Sequence, residues 1–151
     1  MKTTISSIAC APVLLIAIVL GPGCGPTPPG NGDSCASTGT TGGVTTVSYA
    51  DDIVPLFMTT GCLNSTCHGG TFPASQYDMR TYAALFVAGD DADRIGACEI
   101  VPGDAASSFL IEKLRSSNPR VGLQMPLERE PLTEEEIVLI ETWIDEGAQD
   151  N

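Results

Sequence analysis

The sequence predicts an all-α domain behind an apolar leader and a flexible linker. Three observations carry that expectation. From residue 49 onward, apolar residues recur at helical spacing. The breaks between these runs fall at capping residues and glycines. No segment shows the apolar–polar alternation of a half-buried strand. With 151 residues there is room for one domain and a tail.

Residues 1–24 read as an export signal: Lys2 is the only charge, and the apolar run from Ile8 to Leu20 is too short to span a bilayer. The run exits through Gly21, Pro22 and Gly23 into Cys24. Gly23 suits the position before a lipidated cysteine, whereas Leu20 lies one place too far back. Cys24 is therefore a candidate membrane tether through lipidation, with simple cleavage or a disulfide as the alternatives. Residues 25–47, rich in Gly, Pro, Ser and Thr, read as a disordered linker. The folded domain is placed at residues 48–149.

Four helices are legible in that domain. Ser48 caps a first helix over 49–60, with Asp51 and Asp52 in its first turn, where the helix dipole favours acids. Ile53, Leu56, Phe57 and Thr60 share its face, Pro55 is expected to kink or delay it, and Gly61 ends it. A short second helix covers about 80–88, with Tyr82, Leu85 and Phe86 inward. A third covers about 105–116, capped by Asp104, with Phe109, Leu110, Lys113 and Leu114 on one stripe. The fourth is the most regular: Thr133 and Glu136 form a capping box, Ile137, Ile140 and Ile144 recur at helical spacing, and Gly147 ends it. Trp143 reads as core, and Glu134 to Glu136 as acids stabilising the helix start.

Composition excludes some functions. Once Lys2 leaves with the signal, six basic residues face nineteen acidic ones. Nucleic-acid binding needs the opposite balance, so no nucleic acid is expected as a partner. An acidic surface suits solubility, or steering of a basic partner. Six cysteines in an exported chain, of periplasmic or outer-surface destination, point to disulfides or to covalent cofactor chemistry.

The chemistry concentrates in GCLNSTCHGG, residues 61–70, which holds Cys62, Cys67 and the single histidine, His68. A c-type haem is ordinarily attached at C-x-x-C-H, where two thiols form thioethers and the adjacent histidine ligates the iron. Here the spacing is C-x₄-C-H, so two extra residues must bulge. Gly69 and Gly70 are read as leaving room for the macrocycle and allowing close backbone approach. A zinc site from Cys62, Cys67, His68 and Cys98 is the weaker reading, because neighbouring residues rarely point at one metal. The four cysteines of the mature chain beyond Cys24 allow three pairings. A Cys62–Cys98 bridge leaves Cys67 alone for a single thioether, Cys35–Cys98 leaves Cys62 and Cys67 for haem, and Cys62–Cys67 leaves a haem-free, disulfide-stapled binding module. A second axial ligand is offered by Met125, in a loop stiffened by Pro126 before the last helix. Met58 and Met79 are its rivals: the first lies on the first helix near the attachment loop, and the second reads as packing. If the iron position opposite His68 were open, a peroxidase-like enzyme would result. No nucleophile–base set or phosphate loop suggests a hydrolase.

The pieces DDIVPLF, CHGG, IVPGDAASSFLIEKL, QMP and LTEEEIVLIETWIDEGA, in this order over Tyr49 to Ala148, resemble the planctomycete-type, single-haem cytochrome c domain family. The resemblance implies a small cytochrome c-like helical domain with one covalent haem c, His68 as proximal and Met125 as distal iron ligand, and single-electron exchange with redox partner proteins. The departure from C-x-x-C-H leaves the role of Cys62 open between thioether and disulfide.

Overall fold

Ser48 opens the first helical segment, its hydroxyl accepting from the Asp51 amide while Asp52 Oδ2 accepts from the Ser48 amide at 2.8 Å. A computed structural model of the chain describes Cys35 and residues 45–151. The expected signal, Cys24 and almost all of the linker lie outside the described residues. All regular structure among the described residues is helical.

The segment begins as a π-helical turn, Tyr49–Ile53, and continues as α1, Val54–Thr59. Pro55 sits in the first turn of α1, where a missing N–H costs least, so proline delays the α-helix rather than breaking it. Ile53 and Phe57 are fully buried, and Thr60 and Gly61 terminate the helix, Gly61 at φ +82. The expected helix over 80–88 is only a 3₁₀ turn, Ala83–Phe86. A helix not expected from the sequence follows, α2, Asp90–Ile95. Its residues DDADRI bury only Ala92, so there is no apolar stripe to read; three acids in its first turn and Gly96 at φ +63 define its ends. The expected helix over 105–116 is divided. Asp104 caps a 3₁₀ turn, Ala105–Ser107, and α3 starts after the extended residue Ser108, spanning Phe109–Arg115. Buried Ser108 holds the break, its hydroxyl donating to the Asp104 carbonyl and accepting from the Val101 amide.

The last helix, α4, Glu134–Asp145, carries the expected capping box: Thr133 Oγ1 accepts from the Glu136 amide and Glu136 Oε2 from the Thr133 amide. Ile137, Ile140, Trp143 and Ile144 pack against Ile53, Phe57, Leu110, Ile111 and Leu114 in one core. Trp143 is core, as expected, with Nε1 donating to the Gln149 carbonyl and its ring stacked on Tyr49 at 5.5 Å. Glu134 also pairs with Arg115 at the end of α3, which in turn grips Glu141. The folded part reaches further than residues 48–149. The Glu146 carboxylate accepts from the Thr46 and Val47 amides, and Asn151 Oδ1 accepts from Tyr49.

Of the cysteine pairings left open by the sequence, Cys35–Cys98 is the one formed, closing a separation of 63 residues; Cys62 and Cys67 are free.

Replacing Thr133 by Ala removes one half of the capping box and should lower stability by about 1 kcal/mol in urea unfolding. An unchanged midpoint would show that α4 does not depend on its cap.

Candidate functional site

The loop after α1 folds back on itself. Asn64 donates its amide to the Gly61 carbonyl, and its own carbonyl accepts from the amides of Cys67 at 2.9 Å and Gly69 at 3.1 Å. The His68 amide then bonds the Cys62 carbonyl at 3.0 Å. The residues separating the cysteines are therefore taken up in a turn whose tip, Asn64 to Thr66, is exposed, and the chain returns Cys67 and His68 beside Cys62. The two glycines serve this turn. A Cβ on Gly69 would strike the Leu63 carbonyl, and one on Gly70 the Ser65 carbonyl. The close backbone approach expected of these glycines is made within their own loop.

His68 is fixed from the far side of the loop. Its carbonyl accepts from the Met79 amide at 3.1 Å, and Nδ1 lies 2.9 Å from the Tyr77 carbonyl. A carbonyl only accepts, so Nδ1 carries the proton and Nε2 keeps the free lone pair. Burial, with Lys113 nearby, pushes the imidazole below its ordinary range, and the bond to Tyr77 opposes this in part. Cys62 is half-buried with Sγ 3.3 Å from Thr60 Oγ1, and burial pushes its thiol up.

Cys62, Cys67, His68 and Met125 all line one cavity of about 340 Å³. Its other walls come from Phe57 of α1, from Leu110 and Leu114 of α3, and from Ile140 of α4, so it is largely apolar. The end of α3 positions Met125. A helix leaves its last carbonyls without intrahelical partners. Here the Lys113 carbonyl accepts the Met125 amide at 2.8 Å, and the Leu114 carbonyl accepts Gln124 Nε2 at 2.9 Å. Of the rival methionines, Met58 is 64% exposed and lies outside the cavity lining. Met79 is buried and does line the cavity, where its amide joins it to His68 rather than to the α3 end. A zinc site finds no support. Cys98 is consumed in its disulfide, and among the described residues no group of three or more His, Cys, Asp or Glu side chains is placed to hold a metal.

Five charged side chains in the lining were not read as site residues from the sequence: Glu128 and Arg129, which follow Met125 in the chain, and Asp91, Glu99 and Lys113. Lys113 is buried, with Nζ 3.4 Å from Asp91 Oδ2 and 3.1 Å from the Val121 carbonyl. A lysine on an otherwise apolar stripe was the available signal. Glu99 follows Cys98 with no pattern to mark it; it is 5% exposed, and its Oε1 accepts from the Gly89 amide. Burial pushes its carboxyl up to about 7, against the lowering effects of that hydrogen bond and of Lys113.

Chemically, the cavity gathers two unbridged thiols, a neutral imidazole with an available nitrogen and a thioether within apolar walls. Comparison with protein families, curated proteins and solved structures finds no match to this chain.

Folded Glu99 keeps its proton to about pH 7, whereas the unfolded chain releases it near 4.5. The folded state therefore binds more protons in that window, and stability falls as pH rises through it. Glu99→Gln, which keeps an acceptor for Gly89, should gain on the wild type by up to roughly 3 kcal/mol between pH 4.5 and pH 8. A difference in unfolding free energy that stays constant with pH would contradict the burial argument.

Proposed function

We propose that this domain is an exported electron carrier of the cytochrome c kind, holding one covalent haem in the cavity behind the Cys62–His68 loop. The observation that carries the reading is that all four residues of the C-x₄-C-H and Met pattern line one apolar cavity. The residues fit the group on three further counts. Both thiols are unbridged. His68 has Nδ1 engaged by the Tyr77 carbonyl, so Nε2 is the nitrogen for a metal, in the orientation that outer hydrogen bonds impose on metal-bound histidines. The cavity volume lies within the range of cofactor sites.

When bound, the haem supplies a reversible one-electron iron couple. Cys62 and Cys67 tether it by thioethers, His68 ligates through Nε2, and Met125 ligates from the loop anchored on α3. Phe57, Leu110, Leu114 and Ile140 keep water from the centre, which with the methionine ligand sets the potential. Electrons pass to and from redox partner proteins. The Cys35–Cys98 bridge suits an oxidising, extracytoplasmic compartment. The planctomycete-type single-haem cytochrome c family is the family proposed, and a lipidated Cys24 the proposed tether.

Mass spectrometry of chain produced with haem-maturation machinery should find the mass of one haem on the peptide bearing Cys62 and Cys67, with Cys35 linked to Cys98. A colourless product with two free thiols overturns the reading. In matured protein, His68→Ala should abolish the low-spin spectrum. Met125→Ala should leave the haem attached but high-spin and open to added ligands; an unaltered spectrum would show that Met125 is not the distal ligand.

A further inference from the structure

The charged corner of the cavity holds two carboxylates and one ammonium. Lys113 from α3 faces Asp91 from α2, and Arg94 reaches the outer side of Asp91 at 3.6 Å. Glu99, on the segment between α2 and α3, is the third member. The groups facing it are the Gly89 amide, Lys113 and Asp91, with the Tyr77 Cβ beside Gly89; the Tyr77 hydroxyl donates to the Leu85 carbonyl. Lys113 is already paired, so an ionised Glu99 adds a buried negative charge that only the Gly89 amide contacts directly. Such a charge responds strongly to any change of charge in the same cavity, because the apolar walls screen it weakly.

Resting on the haem reading above, we propose that Glu99 takes up one proton from solvent when the haem is reduced and releases it on oxidation, so that the domain moves a proton with its electron. The balance is simple. A one-electron donor adds an electron, the cavity loses one unit of positive charge, and the Glu99 carboxylate restores it by binding H⁺ at an oxygen. No other bond forms or breaks. The carboxyl's elevated affinity for protons places this exchange near neutral pH.

The test uses the full chain matured with haem. Reduction in weakly buffered solution with an indicator dye should consume protons near pH 7, and the midpoint potential should fall as pH rises, by up to about 59 mV per pH unit, the one-electron equivalent of a tenfold change. Glu99→Gln should remove both the uptake and the slope while leaving the haem spectrum unchanged. Lys113→Met, which removes the cation favouring the carboxylate, should move the falling segment to higher pH; it also serves if Glu99→Gln does not fold. Attached haem with no proton uptake and a flat potential in the wild type overturns the proton proposal alone, as does a slope that survives in Glu99→Gln. A chain that carries no haem overturns this proposal and the functional reading together.

Discussion

The carbonyl of Tyr77 decides which nitrogen of His68 is available, and most of the site follows from that bond. A histidine at the edge of a loop has two tautomers and free ring rotation. At 2.9 Å from a backbone acceptor it has one tautomer and one orientation. The constraint reaches both ways along the chain. The Met79 amide ties the same stretch to the His68 carbonyl, and the Tyr77 hydroxyl ties it to Leu85. The imidazole is thus positioned by the buried face of the 77–79 segment as well as by its cysteine loop. Burial that keeps the ring neutral and the hydrogen bond that orients it come from one packing arrangement.

The loop also shows how a longer cysteine spacing is accommodated. Two additional residues between the cysteines of a C-x-x-C-H pattern would ordinarily carry the second cysteine and histidine away from the first. Here the Asn64 carbonyl gathers the amides of Cys67 and Gly69, and the His68 amide closes on the Cys62 carbonyl. The turn absorbs the extra length outward, into solvent. It requires backbone approaching the Gly69 and Gly70 Cα atoms too closely for any side chain, so those glycines belong to the turn before they belong to a ligand.

Elements with a strong apolar period were legible in the sequence. The first and fourth helices, their caps, and the core positions Ile53, Phe57, Ile140, Trp143 and Ile144 follow from spacing and cap chemistry. α2 was not legible because it presents almost nothing to the core, and helix formation there rests on its acidic first turn and glycine end. The break at Ser108 was not legible because it depends on contacts of a buried hydroxyl with the Val101–Asp104 turn. At the site, the four residues singled out by type and spacing do line one cavity. Its polar corner escaped notice because Asp91, Glu99 and Lys113 come from three separate segments, and only folding brings them together. The anchoring of Met125 on the carbonyls of α3 is tertiary in the same sense.

The partition of the sulfurs has a thermodynamic side. Closing a 63-residue separation with Cys35–Cys98 restricts the unfolded chain by roughly 4 kcal/mol in the loop-entropy account, whereas a Cys62–Cys67 bridge would contribute only about 2 kcal/mol. A chain oxidised in an exporting compartment therefore gains more by joining the distant pair. The short loop is then held by hydrogen bonds, which keep Cys62 and Cys67 close without requiring a bond between them. Burial, which disfavours the Cys62 thiolate against the opposing effect of the Thr60 hydroxyl, slows the attack through which a disulfide would form, since that attack needs the ionised sulfur. The disulfide that stabilises the domain thus also leaves two thiols beside an oriented imidazole, the combination that covalent haem attachment requires.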